Sequence, residues 1–186
     1  MTDALWLAFS ERVCVDDRLR VAVLPRDAAS TPLAQLAERN ASALAGIAAT
    51  EERRAEGAEE DSPVLQELAR LDAKLNALVD IVNRLLLPAS ALPERVPVRF
   101  NAVGALLPAA LLPVAGAPGQ AISLRIHLDA CPGLPLELPA RVSRRFDDGL
   151  AFVVFEPLGE AAADAIERFV FRHHRRKVAE ARQSLT

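Results

Sequence analysis

The sequence predicts an α+β protein: a small antiparallel β-barrel or sandwich with one C-terminal helix, preceded by a long heptad-repeat helical extension. Three observations predict it. Val64, Leu68, Leu71, Leu75, Leu78, Val82 and Leu85 recur at alternating intervals of four and three residues, an unbroken a/d seam. Beyond Pro88 the apolar period falls to two, as in Ile122, Leu124, Ile126 and Leu128 set against Ser123, Arg125 and His127. The helical period then returns over Glu160–Arg182, so helices and strands occupy separate stretches of the chain.

In chain order, Ala4–Phe9, Val13–Val15 and Leu19–Leu24 read as short extended pieces, interrupted by Asp16 and Asp17 and ended by Pro25 and Asp27. Thr31 and Pro32 mark a helix start. Leu33, Leu36, Leu44 and Ile47 lie near one face of that helix up to about Thr50, although Asn40 and many alanines weaken its seam. The mostly acidic run Glu51–Asp61 leads to the heptad segment, which Ser62 can cap, Pro63 suits in its first turn and Pro88 stops.

Leu65, Val79 and Leu86 at e positions and Ile81 at g widen the apolar stripe, which favours three or four helices around one axis. Asp72, also at e, argues for a dimer or for exposure there. The expectation is self-association; the alternative is a helix packed on its own domain.

After Pro88, Val96, Val98, Phe100 and Ala102 alternate, and Gly104 permits a turn or bulge before Ala105–Leu112. Gln120–Asp129 is the cleanest strand. Leu134–Arg145 and Leu150–Phe155 form a hairpin around Asp147-Asp148-Gly149, since Asp-Gly between apolar runs is a strong turn signal. The final helix places Ile166, Phe169, Val170 and Val178 on its apolar side. The expected division is an extended segment over 1–30, a helical oligomerisation region over 31–88, and the barrel with its helix over 89–186.

Composition narrows the function. The chain has 186 residues, is 51% hydrophobic and carries a net charge of −3, so it is globular and has no overall nucleic-acid signature. Its basic run, with Arg168, Arg172, Arg175, Arg176, Lys177 and Arg182, reads as a solvated helix end or a surface for an anionic partner; nucleic acid is disfavoured. Cys14 and Cys131, far apart and in no ligand spacing, read as thiols of a reducing compartment. Met1–Phe9 lacks a basic start, and prolines and glycines break the apolar run Phe100–Leu124, so a cytoplasmic protein without a membrane span is expected.

No catalytic constellation stands out. Gly-x-Ser-x-Gly, a phosphate-cradling glycine loop, His-x-x-x-His and Cys-x-x-Cys are all missing from the sequence. Adjacent His173 and His174 diverge on a helix, and His127 with Asp129 has no nearby nucleophile. The expectation is a non-enzyme without cofactor or metal.

The order of strand ARVSRRFDD, Gly149, strand LAFVVFEPL and helix AADAIERFVFRHHRRK resembles the end of PilZ domains, six-stranded β-barrel receptors of bacterial cyclic di-GMP. The resemblance covers roughly Val96 to Arg176. The preceding heptad segment looks like the atypical, tetrameric branch, in which a long helix joins four barrels. The resemblance therefore implies a PilZ-like barrel, a tetramer, and work within cyclic di-GMP signalling through a protein partner.

Standard members hold the dinucleotide with Arg-x-x-x-Arg before the first strand and Asp/Asn-x-Ser-x-x-Gly on the barrel. Guanidinium forks suit phosphates and guanine edges, and glycine lets backbone approach. Here Arg99-Phe100-Asn101-Ala102-Val103-Gly104 lies on the second motif, with Asn101 at the serine, Gly104 at the glycine and Arg99 reversing the acid. The Arg-x-x-x-Arg that stands ahead of the second motif, Arg95 to Arg99, overlaps that same strand and so is not a separate arm. The candidate ligand residues are Arg95, Arg99, Asn101, Gly104, Arg144 and Arg145, with cyclic di-GMP as the candidate ligand. Their alternative reading is a charged edge that discourages sheet aggregation. The implied function is an adaptor without standard nucleotide binding; the alternative is a true receptor with a degenerate arginine site.

Overall fold

A computed structural model describes residues 2–27, 31–56, 91–113 and 117–183, together with residues 67, 68, 70, 71, 74, 75, 78, 81 and 82. Six strands are present: β1 (Val15–Pro25), β2 (Arg95–Phe100), β3 (Gly104–Pro108), β4 (Ala121–His127), β5 (Leu136–Arg145) and β6 (Leu150–Phe155). They close into an antiparallel barrel in the order β1-β2-β3-β6-β5-β4. Helices α1 (Thr2–Ser10), α2 (Leu33–Glu56) and α3 (Glu160–Gln183) accompany them.

Alternation builds the interior. Leu19 and Val21, Val98 and Phe100, Ala105 and Leu107, Ile122, Leu124 and Ile126, Leu138, Ala140 and Val142, and Ala151 and Val153 all point inward and are buried. Helix α3 joins this core through Ile166, Phe169 and Val170, its Phe169 ring stacked on Phe100. Helix α2 packs Leu44 and Ile47 into the same cluster. The hairpin expected around Asp147-Asp148-Gly149 is present. Gly149 has φ +82°, a left-handed conformation that only glycine adopts without strain, and Phe146 N donates to Leu150 O at 2.8 Å.

Two early expectations are corrected. Ala4–Phe9 is helical, not extended. Trp6 and Phe9, three residues apart, share one face of a helix and both pack on Phe152; a strand would turn them to opposite faces. In addition, residues 15–25 form one unbroken strand through Asp16 and Asp17, hydrogen-bonded between β2 and β4. A boundary at residue 89 thus cuts the barrel, whose first strand is separated from its second by the helical stretch. Pairing of segments so distant in sequence leaves no local signal.

A buried polar latch fixes α2. On its β6 side, β5 pairs only from Ala140 onward, so the backbone at Glu137 lacks a strand partner there. Asn40 supplies one: its Nδ2 donates to Glu137 O at 2.8 Å and its Oδ1 accepts from Glu137 N at 3.0 Å. The Glu137 carboxylate accepts from Arg39 at 2.9 Å, Arg125 at 3.1 Å and Ser123 at 3.1 Å. Burial would raise its pKa, but Arg39, Arg125 and Ser123 hold it below the usual value.

Candidate functional site

Strand register places the candidate residues. Arg99 pairs with Leu106, Leu106 with Phe152, and Phe152 with Arg144. Cross-strand partners share a face, and neither Leu106 nor Phe152 belongs to the barrel core, so these four side chains form one row across the outer surface of β2, β3, β6 and β5. The row spans three strand spacings, about 14 Å at about 4.8 Å each. Two arginines stand at its ends and an aromatic ring lies between.

Helix α1 lies on this row. Phe9 is fully buried, its ring 4.9 Å from that of Phe152, and the Arg99 guanidinium lies over it at 5.8 Å. Trp6 meets Phe152 at 5.2 Å and Phe146 at 5.1 Å, and Arg144 covers Phe146 at 5.6 Å. Asn101 is buried beneath. Its Nδ2 donates to Phe9 O at 3.0 Å, and its Oδ1 accepts from Val103 N at 2.8 Å. A Cβ on Gly104 would stand 2.2 Å from Val153 O and 3.1 Å from the Phe152 ring, so this glycine lets β3 pass close to β6.

The other two candidates lie elsewhere. Arg95 shares the outer face with Arg99 but ion-pairs with Asp129 at 2.5 Å and donates to Arg18 O at 3.1 Å. Arg145 pairs with Ala151, on the opposite face from Arg144, at the exposed end of β5. The structure thus brings Arg99, Asn101, Gly104 and Arg144 together and leaves Arg95 and Arg145 apart. Sequence reasoning missed Trp6, Phe9 and Phe152. The i, i+3 spacing of the chain's single tryptophan and Phe9 was the signal available.

Of the heptad residues, Leu68, Leu71, Leu75, Leu78 and Val82 are helical, and each is about half exposed, from 48% to 57%. Ile81 is exposed with them. Val64 and Leu85 lie outside the described residues. Side chains on one face of a helix show this exposure when no described residue covers them.

The basic helix α3 is tied down on one side. His173 Nε2 lies 3.2 Å from Asp17 Oδ2, and Lys177 Nζ reaches the same oxygen at 3.7 Å and bonds to Asp16 O. Burial, then Arg176, pushes the His173 pKa down; Asp17 opposes the shift and Lys177 adds to it. Desolvation opposes ionisation of Asp17, but its bond from Arg18 N and the charges of Lys177 and His173 leave its pKa lowered. His127 does not bond to Asp129; its Nδ1 lies 2.8 Å from Pro132 O. Among the described residues no cluster of His, Cys, Asp and Glu is arranged to hold a metal ion. No helix among them is long and apolar enough to cross a membrane.

The comparisons with known proteins agree with the barrel fold. A family model described as "Atypical PilZ domain, cyclic di-GMP receptor" matches residues 44–183. A crystal structure of a pathogenic protein from Xanthomonas campestris superposes with a TM-score of 0.74 at 27% identity, covering 95% of this chain and 97% of that one. It is described as a new tetrameric PilZ domain self-assembled via an unusual helical bundle. No functionally curated protein matches the sequence.

Proposed function

Because the chain belongs to the atypical PilZ family, whose domains are signalling receptors and not enzymes, we propose that it is an adaptor in cyclic di-GMP pathways. It assembles through residues 31–88 as a homotetramer, acts on a protein partner in the cytoplasm, and does not hold the nucleotide in the standard two-motif manner. One observation carries the reading: Leu68, Leu71, Leu75, Leu78 and Val82 form an exposed apolar helix face in heptad register, the pattern that helices of other copies cover. The tetrameric relative, self-assembled via a helical bundle, supports it.

Two motif residues support the ligand half of the proposal. Asn101 already has Phe9 O and Val103 N as partners, and Gly104 is needed for strand packing. No separate arginine arm stands before the barrel in the sequence. Sedimentation of the full chain, with calorimetric titration of cyclic di-GMP, tests both parts. A tetramer with no binding heat is expected; a monomer, or micromolar stoichiometric binding, overturns the corresponding half.

The alternative, a receptor with a degenerate arginine site, draws on the row that sets Arg99 and Arg144 on one face. It predicts saturable binding that is lost in Arg99→Ala.

A further inference from the structure

Helix α1 behaves like a bound ligand of the barrel. Its Phe9 ring sits against an aromatic ring and under a guanidinium, the arrangement by which proteins hold flat heteroaromatic rings. Its last turn offers a carbonyl to a buried amide, Asn101. A second guanidinium, Arg144, flanks the other end of the same row, so the face beneath α1 combines stacking surface with positive charge. That combination suits a purine nucleotide, whose rings stack and whose phosphates pair with arginine.

The attachment of α1 is concentrated in the two side chains Trp6 and Phe9. Apart from the ring contacts and the Asn101 bond, its anchor is the exposed pair Arg12–Glu167 just beyond its end, and exposed pairs contribute little. The face also continues past the helix. Val154, the next outward residue of β6 after Phe152, lines a cavity of about 400 Å³ with Arg141, Ser143, Pro118 and Pro157, and α1 supplies Leu5 to its wall. That volume falls in the range of small-molecule pockets.

We propose that α1 is an internal cap whose Trp6 and Phe9 occupy a purine-nucleotide site on the outer row Arg99–Leu106–Phe152–Arg144, closing it until α1 is displaced. The cap deepens the adaptor reading by giving a cause for the missing nucleotide binding, yet it can be tested apart from it. Cyclic di-GMP, the ligand named for the family, is the probe.

In the full chain, Phe9→Ala vacates one ring position. It binds cyclic di-GMP about tenfold or more tightly than wild type, the scale of one released stacking position. Adding Arg99→Ala removes the gain. Trp6→Ala, which leaves the Asn101 bond to Phe9 in place, is the second variant should the first not fold, and it shows the same gain. Equal affinity for wild type and a folded variant, checked by circular dichroism, overturns the cap.

Trp6 is the chain's only tryptophan, so its emission follows α1 directly. Micromolar binding by wild type with a red shift of that emission sinks the adaptor reading and upholds the cap. The same binding with unchanged emission overturns the cap.

Discussion

On β4, Ile122, Leu124 and Ile126 have no exposed surface, whereas Leu75 and Leu78 of the heptad segment each keep 57%. The residue types are nearly the same. What differs is the period and the partner it demands. A period of two within a strand that closes into a barrel finds its cover in the same chain, from β5, β1 and helices α2 and α3. A 3.5-residue seam on a helix is matched best by another helix of the same pattern. One region is complete in a single chain, and the other, on the proposed reading, is completed by copies. That contrast makes separable predictions.

The largest effect should come from charging the seam. In Leu75→Lys or Leu78→Lys, a buried ammonium without a partner costs on the order of 3 kcal/mol or more per chain, repeated in every copy. The solution mass measured by sedimentation is expected to fall to that of one chain. The thermal transition of the barrel should survive, because its core contains none of these residues. Unchanged mass would mean that the seam is not the interface.

The reciprocal test cuts into the barrel. Phe100 is fully buried and stacks on Phe169 of α3, so Phe100→Ala leaves a cavity and costs about 3–5 kcal/mol. A lower melting temperature for the strand signal, with the helical assembly still sedimenting as an oligomer, is the expected pattern. Loss of both together would show that barrel and bundle fold as one unit.

How far the sequence revealed this architecture depends on the range of the forces involved. The β5–β6 hairpin, β4 and α3 were legible because period and turn chemistry are local. Leu68, Leu71, Leu75, Leu78 and Val82 were legible as an exposed helix face for the same reason. Three features were not. Strand β1 belongs to the barrel through pairs with Arg95–Phe100 and Ile122–His127, which no local pattern records. Helix α1 reads as a strand by its apolar run, and only its ring contacts with Phe146 and Phe152 select the helical face. Asn40, taken as a flaw in the α2 seam, is instead the residue that completes the edge of β5.

That latch marks a smaller difference between the regions. Asn40→Ala orphans the buried N–H and C=O of Glu137, a loss of about 1–3 kcal/mol. Denaturant titration is expected to show a lower midpoint for the barrel with no change in oligomeric mass. Asn40→Asp should do worse than Ala at neutral pH, because one of its oxygens would face the Glu137 carbonyl where an amide now donates.

The smallest effects are those of pH, and they too fall on the barrel side. The Glu137 pKa is lowered in the folded state, so the native protein binds fewer protons than the unfolded chain below pH 4.5. Its contribution is complete above that value and is lost as pH falls through the depressed folded pKa. The His173 pKa is lowered too, from 6.5, so the folded state resists protonation and stability declines as pH drops below 6.5 towards the folded value. Two declines at different pH are therefore expected, the upper abolished by His173→Gln and the lower, to which Asp17 also contributes, reduced by Glu137→Gln. The heptad seam has no titrating residue among its a and d positions, so the oligomeric mass should hold across the upper decline. Should the assembly dissociate with the protonation of His173, the α3–β1 contact would belong to the assembly interface, and barrel and bundle could no longer be treated as independent.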